Sequence, residues 1–187
     1  MNGKSLFINK NLELRLPEKE FAKTLFQIVE NQRKYLGKWL PWVEKNNIEK
    51  DSLEFLKSSI LFNNGGQKLT TFIFYKNELV GSVAFVKIDK TNRAAEIGYW
   101  LSQNMQGKGI ITQACERLIK YGFEKMNLHR IEINVAPENS KSLAIPLKLG
   151  FHHEGTIRES LFFNNKFFDG EKYSLLKREW IEKNRFF

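Results

Sequence analysis

Apolar residues fall into two rhythms along this chain. Short alternating or continuous apolar spans at 12–16, 70–75, 79–88, 95–101 and 130–135 read as strands, with a further short one at 7–8. Helical spacing begins after Pro17, with Glu18 and Glu20 in the first turn and Phe21, Leu25, Ile28 and Val29 along one face. Another helix opens at Asp51 or Ser52, carries Leu53, Leu56, Ile60 and Leu61, and stops at Asn63-Asn64-Gly65-Gly66. Between these helices the aromatic segment YLGKWLPWVEK is broken by Gly37 and Pro41; its Tyr35, Trp39 and Trp42 read as core or as the wall of a groove.

The turn Lys76-Asn77-Glu78 joins 70–75 to 79–88, and Gly81 in the second span marks a bulge or a close backbone approach. The chain then reaches the stretch around which it is organised: a strand over 95–101, a polar turn over 102–108, and a long amphipathic helix over 109–125. RIEINV at 130–135 reads as a strand parallel to 95–101, reached by a right-handed crossover. A short helix over 139–149 follows, capped by Asn139 or Ser140 and ended by Gly150. Strands at 151–154 and 173–177 close the sheet, with LFFNNKFFDG between them as a loop or hairpin. The expected architecture is a mixed α/β domain spanning 1–187.

Composition adds little to the fold and more to the setting. The chain has 187 residues, 42% hydrophobic, 13% aromatic and 27% charged, which suits one folded core and excludes disorder. Its single cysteine, Cys115, excludes an internal disulfide and fits a reducing compartment. No apolar run approaches the ~20 residues of a membrane helix, and MNGKSLFINKN lacks the apolar core of a leader. A cytoplasmic protein with no membrane partner is expected. The net charge of +9 favours anionic partners, although the lysines are scattered enough to serve solubility alone.

Chemistry concentrates at Gln106-Gly107-Lys108-Gly109. Where a strand hands over to a helix, unpaired N–H groups and the positive end of the helix dipole converge, and such a point binds phosphate. Gly107 and Gly109 allow close backbone approach, and Lys108 adds charge. A P-loop is excluded because Gly109, not Ser or Thr, follows Lys108; a dinucleotide fingerprint is excluded because Thr112 stands at its third glycine. His129, His152 and His153 read as structural or exposed, Cys115 lacks the basic neighbour of a nucleophile, and no spacing marks a metal site. Asp169 and Tyr173 either shape an acceptor pocket or close the sheet.

With these motifs the chain resembles the GNAT N-acetyltransferases. Gln106, Gly109 and their spacing match the family's Gln/Arg-x-x-Gly-x-Gly/Ala, with Ile111 at its last position. Asn139-Ser140-Lys141-Ser142 with Leu149-Gly150-Phe151, Ile97-Gly98-Tyr99-Trp100-Leu101 and Glu154-Gly155 match the branch that holds the ribosomal-protein N-terminal acetyltransferases. The resemblance implies an α/β GNAT fold whose sheet is splayed between two parallel strands, with acetyl-CoA as co-substrate and no metal. It implies that backbone groups of Tyr99, Trp100 and Leu101 pair with the pantetheine arm and that the Leu101 N–H polarises the thioester. By the same resemblance Gln106, Gly107, Lys108, Gly109, Ile110, Ile111 and Thr112 hold the diphosphate, and Asn134, Asn139 and Ser142 contact the cofactor arm. Asn139 and Gln106 also have plainer readings, as a helix cap and a solvated turn residue.

Direct transfer needs a base for the amine and a donor for the leaving sulfur. Glu96, on the central strand, is the candidate base, or else a structural carboxylate paired with a cation. Many family members place a tyrosine donor seven residues after the asparagine; Pro146 stands there, so Ser142 is the candidate acid. Leu161 occupies the position where the ribosomal-protein branch uses a glutamate. The acceptor expected is a primary amine of ribosomal-protein N-terminal type; a polyamine, antibiotic amine or amino acid is the alternative. A basic ribosome- or RNA-binding module on a degenerate GNAT fold is the non-enzyme alternative, but no aromatic–glycine RNA motif supports direct nucleic-acid binding. The family and the aromatic content point to a homodimer.

Overall fold

Left-handed turn residues help fold the strands of this chain into a meander. A computed structural model of the protein describes residues 5–185. The first four residues, part of the stretch read as leaderless, and the last two lie outside it. Strands β1 (Ser5–Asn9) and β2 (Leu12–Arg15) lead to β3 (Leu69–Tyr75), β4 (Glu78–Asp89) and β5 (Ala94–Leu101), each antiparallel to the one before. Lys76 and Asn77 both have positive φ, 51° and 66°, which matches the right-handed twist of a two-residue hairpin between β3 and β4. Gly81 proves to be a close approach: a Cβ there would lie 2.4 Å from the Trp100 carbonyl oxygen on β5. The neighbouring register shift leaves Val80 as an extra residue opposite Ile73 and Phe74, so the bulge reading holds beside it.

Helix α1 (Ala22–Asn31) buries Ala22, Leu25 and Val29, and a short α2 (Arg33–Gly37) follows it. Helix α3 (Glu49–Gly65) begins two residues before the expected start, because Asp51 sits in its first turn and reaches back. Its carboxylate accepts from the Asn47 and Ile48 amides at 2.8 and 3.0 Å. The buried stripe of α3 is Ser52, Leu56 and Ser59; Leu61 falls on the opposite face and is exposed. Gly66 ends the helix at φ 66°.

Helix α4 (Ile110–Lys125) crosses from β5 to β6 (Arg130–Val135), which pairs parallel to β5. Helix α5 (Ser140–Leu149) then leads into β7 (His152–Phe163) and β8 (Lys166–Leu176), and α6 (Lys177–Lys183) ends the described chain. The sheet order is β1-β2-β3-β4-β5-β6-β8-β7. The closing strands are far longer than the alternation predicts. LFFNNKFFDG is a hairpin turning at Asn164 and Asn165, both at positive φ. Edge strand β7 is solvent-facing along most of its length, so no buried alternation marks it in the sequence.

Strand alternation sorts the core into two layers. Ile73, Phe85, Ile97, Ile131 and Ile133 face α4 and its Ala114, Leu118 and Phe123. Phe72, Phe74 and Leu79 face α1 to α3, packing on Leu25, Val29 and Leu56. Phe72, Phe85 and Phe123 are fully buried, and truncating any of them to alanine costs about 3–5 kcal/mol.

Candidate active site

The parallel ladder between β5 and β6 stops early. Only Ala94↔Arg130, Ala95↔Ile131 and Glu96↔Glu132 pair, although both strands run on. Beyond that point 97–101 and 133–135 diverge, and all of these residues line one cavity of about 880 Å³. The cavity passes through the split. On the α4 side it is walled by Gln106, Gly107, Gly109, Ile111 and Thr112, with Asn139, Lys141 and Ser142 from α5. On the α1–α3 side it is walled by Tyr35, Leu36, Trp39, Leu40 and Pro41, and by Leu161, Phe162 and Phe163 of the hairpin.

The edge of β5 that faces the split keeps free hydrogen-bonding groups. The Ser102 amide donates to the Val80 carbonyl on β4 at 2.8 Å. Backbone groups alternate along a strand, so those of Tyr99 and Leu101 point the other way, into the cavity. The turn at the helix start is equally open. Gly107 and Gly109 have φ of 76° and 70°, and nothing lies within 4 Å of where a Cβ on Gly107 would stand. The first amides of α4 have no partner four residues back within the helix, so they face this opening with the positive end of the helix dipole.

Ser142 is held from two sides. The Asn139 side chain caps α5, its Oδ1 accepting from the Ser142 amide at 3.3 Å. Pro146 lies four residues on, inside the helix, and has no N–H to give the Ser142 carbonyl. The Tyr99 hydroxyl donates there instead, at 2.9 Å. Burial pushes the Tyr99 phenol far above its ordinary pKa, so it stays a neutral donor. Across the cavity, Gln106 bridges two elements: it donates to the Tyr35 hydroxyl, and its Oε1 accepts from Lys141 Nζ at 2.7 Å.

The expected site residues separate on this frame. Tyr99, Trp100, Leu101, Gln106, Gly107, Gly109, Ile111, Thr112, Asn134, Asn139 and Ser142 are brought together around one cavity. Two side chains of the turn are not. Ile110 points into the core, 2% exposed, as the helical turn dictates, and Lys108 Nζ lies beside Met105 and over Tyr75. Glu96 is not part of the wall either, because it sits on the last paired rung, in register with Glu132, one residue short of the split. Of the three aromatics weighed as core or groove, Tyr35 and Trp39 line the cavity, whereas Trp42 packs on Phe55 and Trp100. Asp169 is tied to the hairpin, its Oδ1 accepting from the Glu159 amide at 2.8 Å, and Tyr173 is buried in β8. Sequence reasoning missed Leu36, Leu40, Pro41, Lys148, Phe162 and Phe163; the paired phenylalanines around Asn164-Asn165 were the available signal.

A model of the acetyltransferase (GNAT) domain matches residues 11–152. YdaF of Bacillus subtilis (strain 168) is 36% identical over 181 residues, covering 92% of this chain and 95% of its own. The ribosomal-protein-serine acetyltransferase of Escherichia coli (strain K12) is 30% identical over 167 residues, covering 89% and 93%. The microcin C7 self-immunity acetyltransferase MccE, solved with acetyl-CoA and AMP, superposes with a TM-score of 0.87 at 34% identity, over 90% of this chain and 94% of that one.

Proposed function

Since this chain belongs to the GNAT family of N-acetyltransferases and uses acetyl-CoA as co-substrate, we propose that its acceptor is the α-amine of a protein or peptide N-terminus, of the ribosomal-protein kind. The observation that carries the reading is the cavity running through the split sheet, with an open glycine turn at one mouth and an aromatic wall at the other. The first side suits a diphosphate, the split suits an extended pantetheine, and the second side suits an uncharged chain end. The relative acting on a ribosomal-protein serine supports the same acceptor.

Each residue's part follows from its place. The α4 amides and the glycine turn hold the diphosphate. The inward-facing groups of Tyr99 and Leu101 pair with the arm as an added strand would. The Leu101 N–H is aimed at the thioester oxygen and stabilises the oxyanion as the amine attacks. The C–N bond forms and the C–S bond breaks; Ser142 Oγ hydrogen-bonds the leaving sulfur, and the proton lost by nitrogen ends on the thiol. Asn139 and Tyr99 keep Ser142 in place. A thiol-release assay with acetyl-CoA over N-terminal peptides, spermidine and amino acids tests this: peptides bearing a free N-terminus turn over fastest if the reading is right, and preference for a small amine contradicts it.

A further inference from the structure

Among the described residues, no carboxylate lines the cavity. Among the described residues, the formally charged side chains lining the cavity are Lys141 and Lys148, both cations. The other titratable groups on it are Tyr35 and Tyr99, whose phenols burial raises above the ordinary value, so neither serves as a base near neutral pH. The acceptor side itself includes Trp39, Trp100, Leu161 and Phe162, none of which carries a charge.

Four of the carboxylates on neighbouring strands are occupied elsewhere. Glu132 accepts from Arg130 at 2.8 Å and Lys172 at 2.6 Å, and these bonds override the effect of burial and hold its carboxyl below the ordinary range. Glu154 is bound by Ser174 and by Arg130 at 3.0 Å. Glu171 is bound by His153 at 2.5 Å and by Thr156 at 2.9 Å, and Asp169 holds the hairpin backbone. Glu96 lies beside Glu132, below the split.

Resting on the acceptor reading above, we infer that the protein supplies no general base and takes its acceptor already neutral, so that it selects weakly basic α-amines over alkylamines. An ammonium entering the acceptor side meets apolar rings without a counter-ion, and the charged side chains of the cavity, both on α5, are cations, which disfavours it against the free amine. An α-amine of pKa about 7.7–8.0 is roughly one-third neutral at pH 7.5, whereas an alkylammonium near 10.4 is roughly one-thousandth neutral. That difference is roughly 250-fold in attacking species. The greater nucleophilicity of the more basic amine offsets part of it, leaving a preference below about 250-fold. The neutral nitrogen forms the C–N bond, the C–S bond breaks, and the surplus proton on nitrogen passes through solvent to the departing thiolate.

The test is kcat/KM against pH from about 6 to 10 for three acceptors: a peptide with a free N-terminal serine, the same peptide Nα-blocked and carrying one lysine, and spermidine. The expected result is an inflection that moves with each acceptor's own measured amine pKa, with the free N-terminus favoured at least tenfold at pH 7.5. One inflection common to all acceptors overturns the inference and leaves the N-terminal reading standing. Preference for spermidine at pH 7.5 overturns both. A Glu96→Gln variant measured beside them guards against a relay through water. Loss of about 10²–10⁴-fold with the inflection abolished would mark Glu96 as the base and overturn the inference.

Discussion

Ser142, Tyr99 and Pro146 form the most closely coupled group in the site. Proline in α5 removes the amide that would satisfy the Ser142 carbonyl, and a phenol from β5 restores it. Tyr99→Phe leaves that part-buried carbonyl without its donor and lowers stability by about 1 kcal/mol, measured by urea unfolding. Adding Pro146→Ala returns a backbone donor at the right spacing, so the double variant recovers part of the loss; two additive losses would refute the coupling. Ser142→Ala lowers kcat by about 10²-fold or more while KM for acetyl-CoA stays within a factor of about three. A rise in KM with kcat intact would show a cofactor-binding role alone. At this scale the sequence was legible wherever a motif is local. Gln106 and Gly109, and Asn139 and Ser142, are set on the cavity wall by backbone spacing within one turn. The position of Glu96 off the cavity wall was not legible, because it depends on where the β5–β6 ladder ends, which its own neighbours do not encode.

Among the elements, the junction of β6 with β8 carries the charge network beneath the acceptor side. Burial works to raise the Glu132 carboxyl, and hydrogen bonds from Lys172 and Arg130 outweigh it, so its folded pKa lies below the unfolded value near 4.3. A depressed folded pKa contributes stability above the unfolded pKa, and that stability is lost as pH falls through the folded one. Glu132→Gln therefore lowers Tm at pH 7, and the gap to the parent closes as pH drops below about 4. A gap independent of pH would contradict this. The β7–β8 hairpin shows why some elements stay hidden in sequence. Its outer strand is solvent-facing along most of its length, so Phe162 is exposed, as is Phe167 beside the turn on β8, and neither carries core periodicity. Phe162 nevertheless walls the cavity. Phe162→Ala raises KM for a peptide acceptor several-fold and leaves that for acetyl-CoA unchanged, since the hairpin lies on the far side of the split from the α4 turn.

For the whole molecule, the arrangement depends on one sheet that is continuous at both ends and open in the middle. Antiparallel pairing from β1 to β5 and from β6 to β7 fixes the two halves, and the short parallel ladder hinges them. Helix α4 fills one face of that hinge, and α1 to α3 fill the other on the β3–β5 side. The antiparallel meander and the parallel pairing follow from the alternation and the crossover rule, whereas the place of β8 between β6 and β7 does not. The length of the split does not, because it is set by how far two diverging strands can still hydrogen-bond. Among the described residues no helix is long and apolar enough to cross a membrane. The claim that a diphosphate sits on the glycine turn and a thioester in the split is tested most directly by a crystal structure with coenzyme A. The account predicts diphosphate density over 106–112 and the pantetheine arm between 97–101 and 133–135, paired with the backbone of Tyr99 and Leu101. Density for the cofactor outside the split, or strands closed together along 97–101, would contradict it.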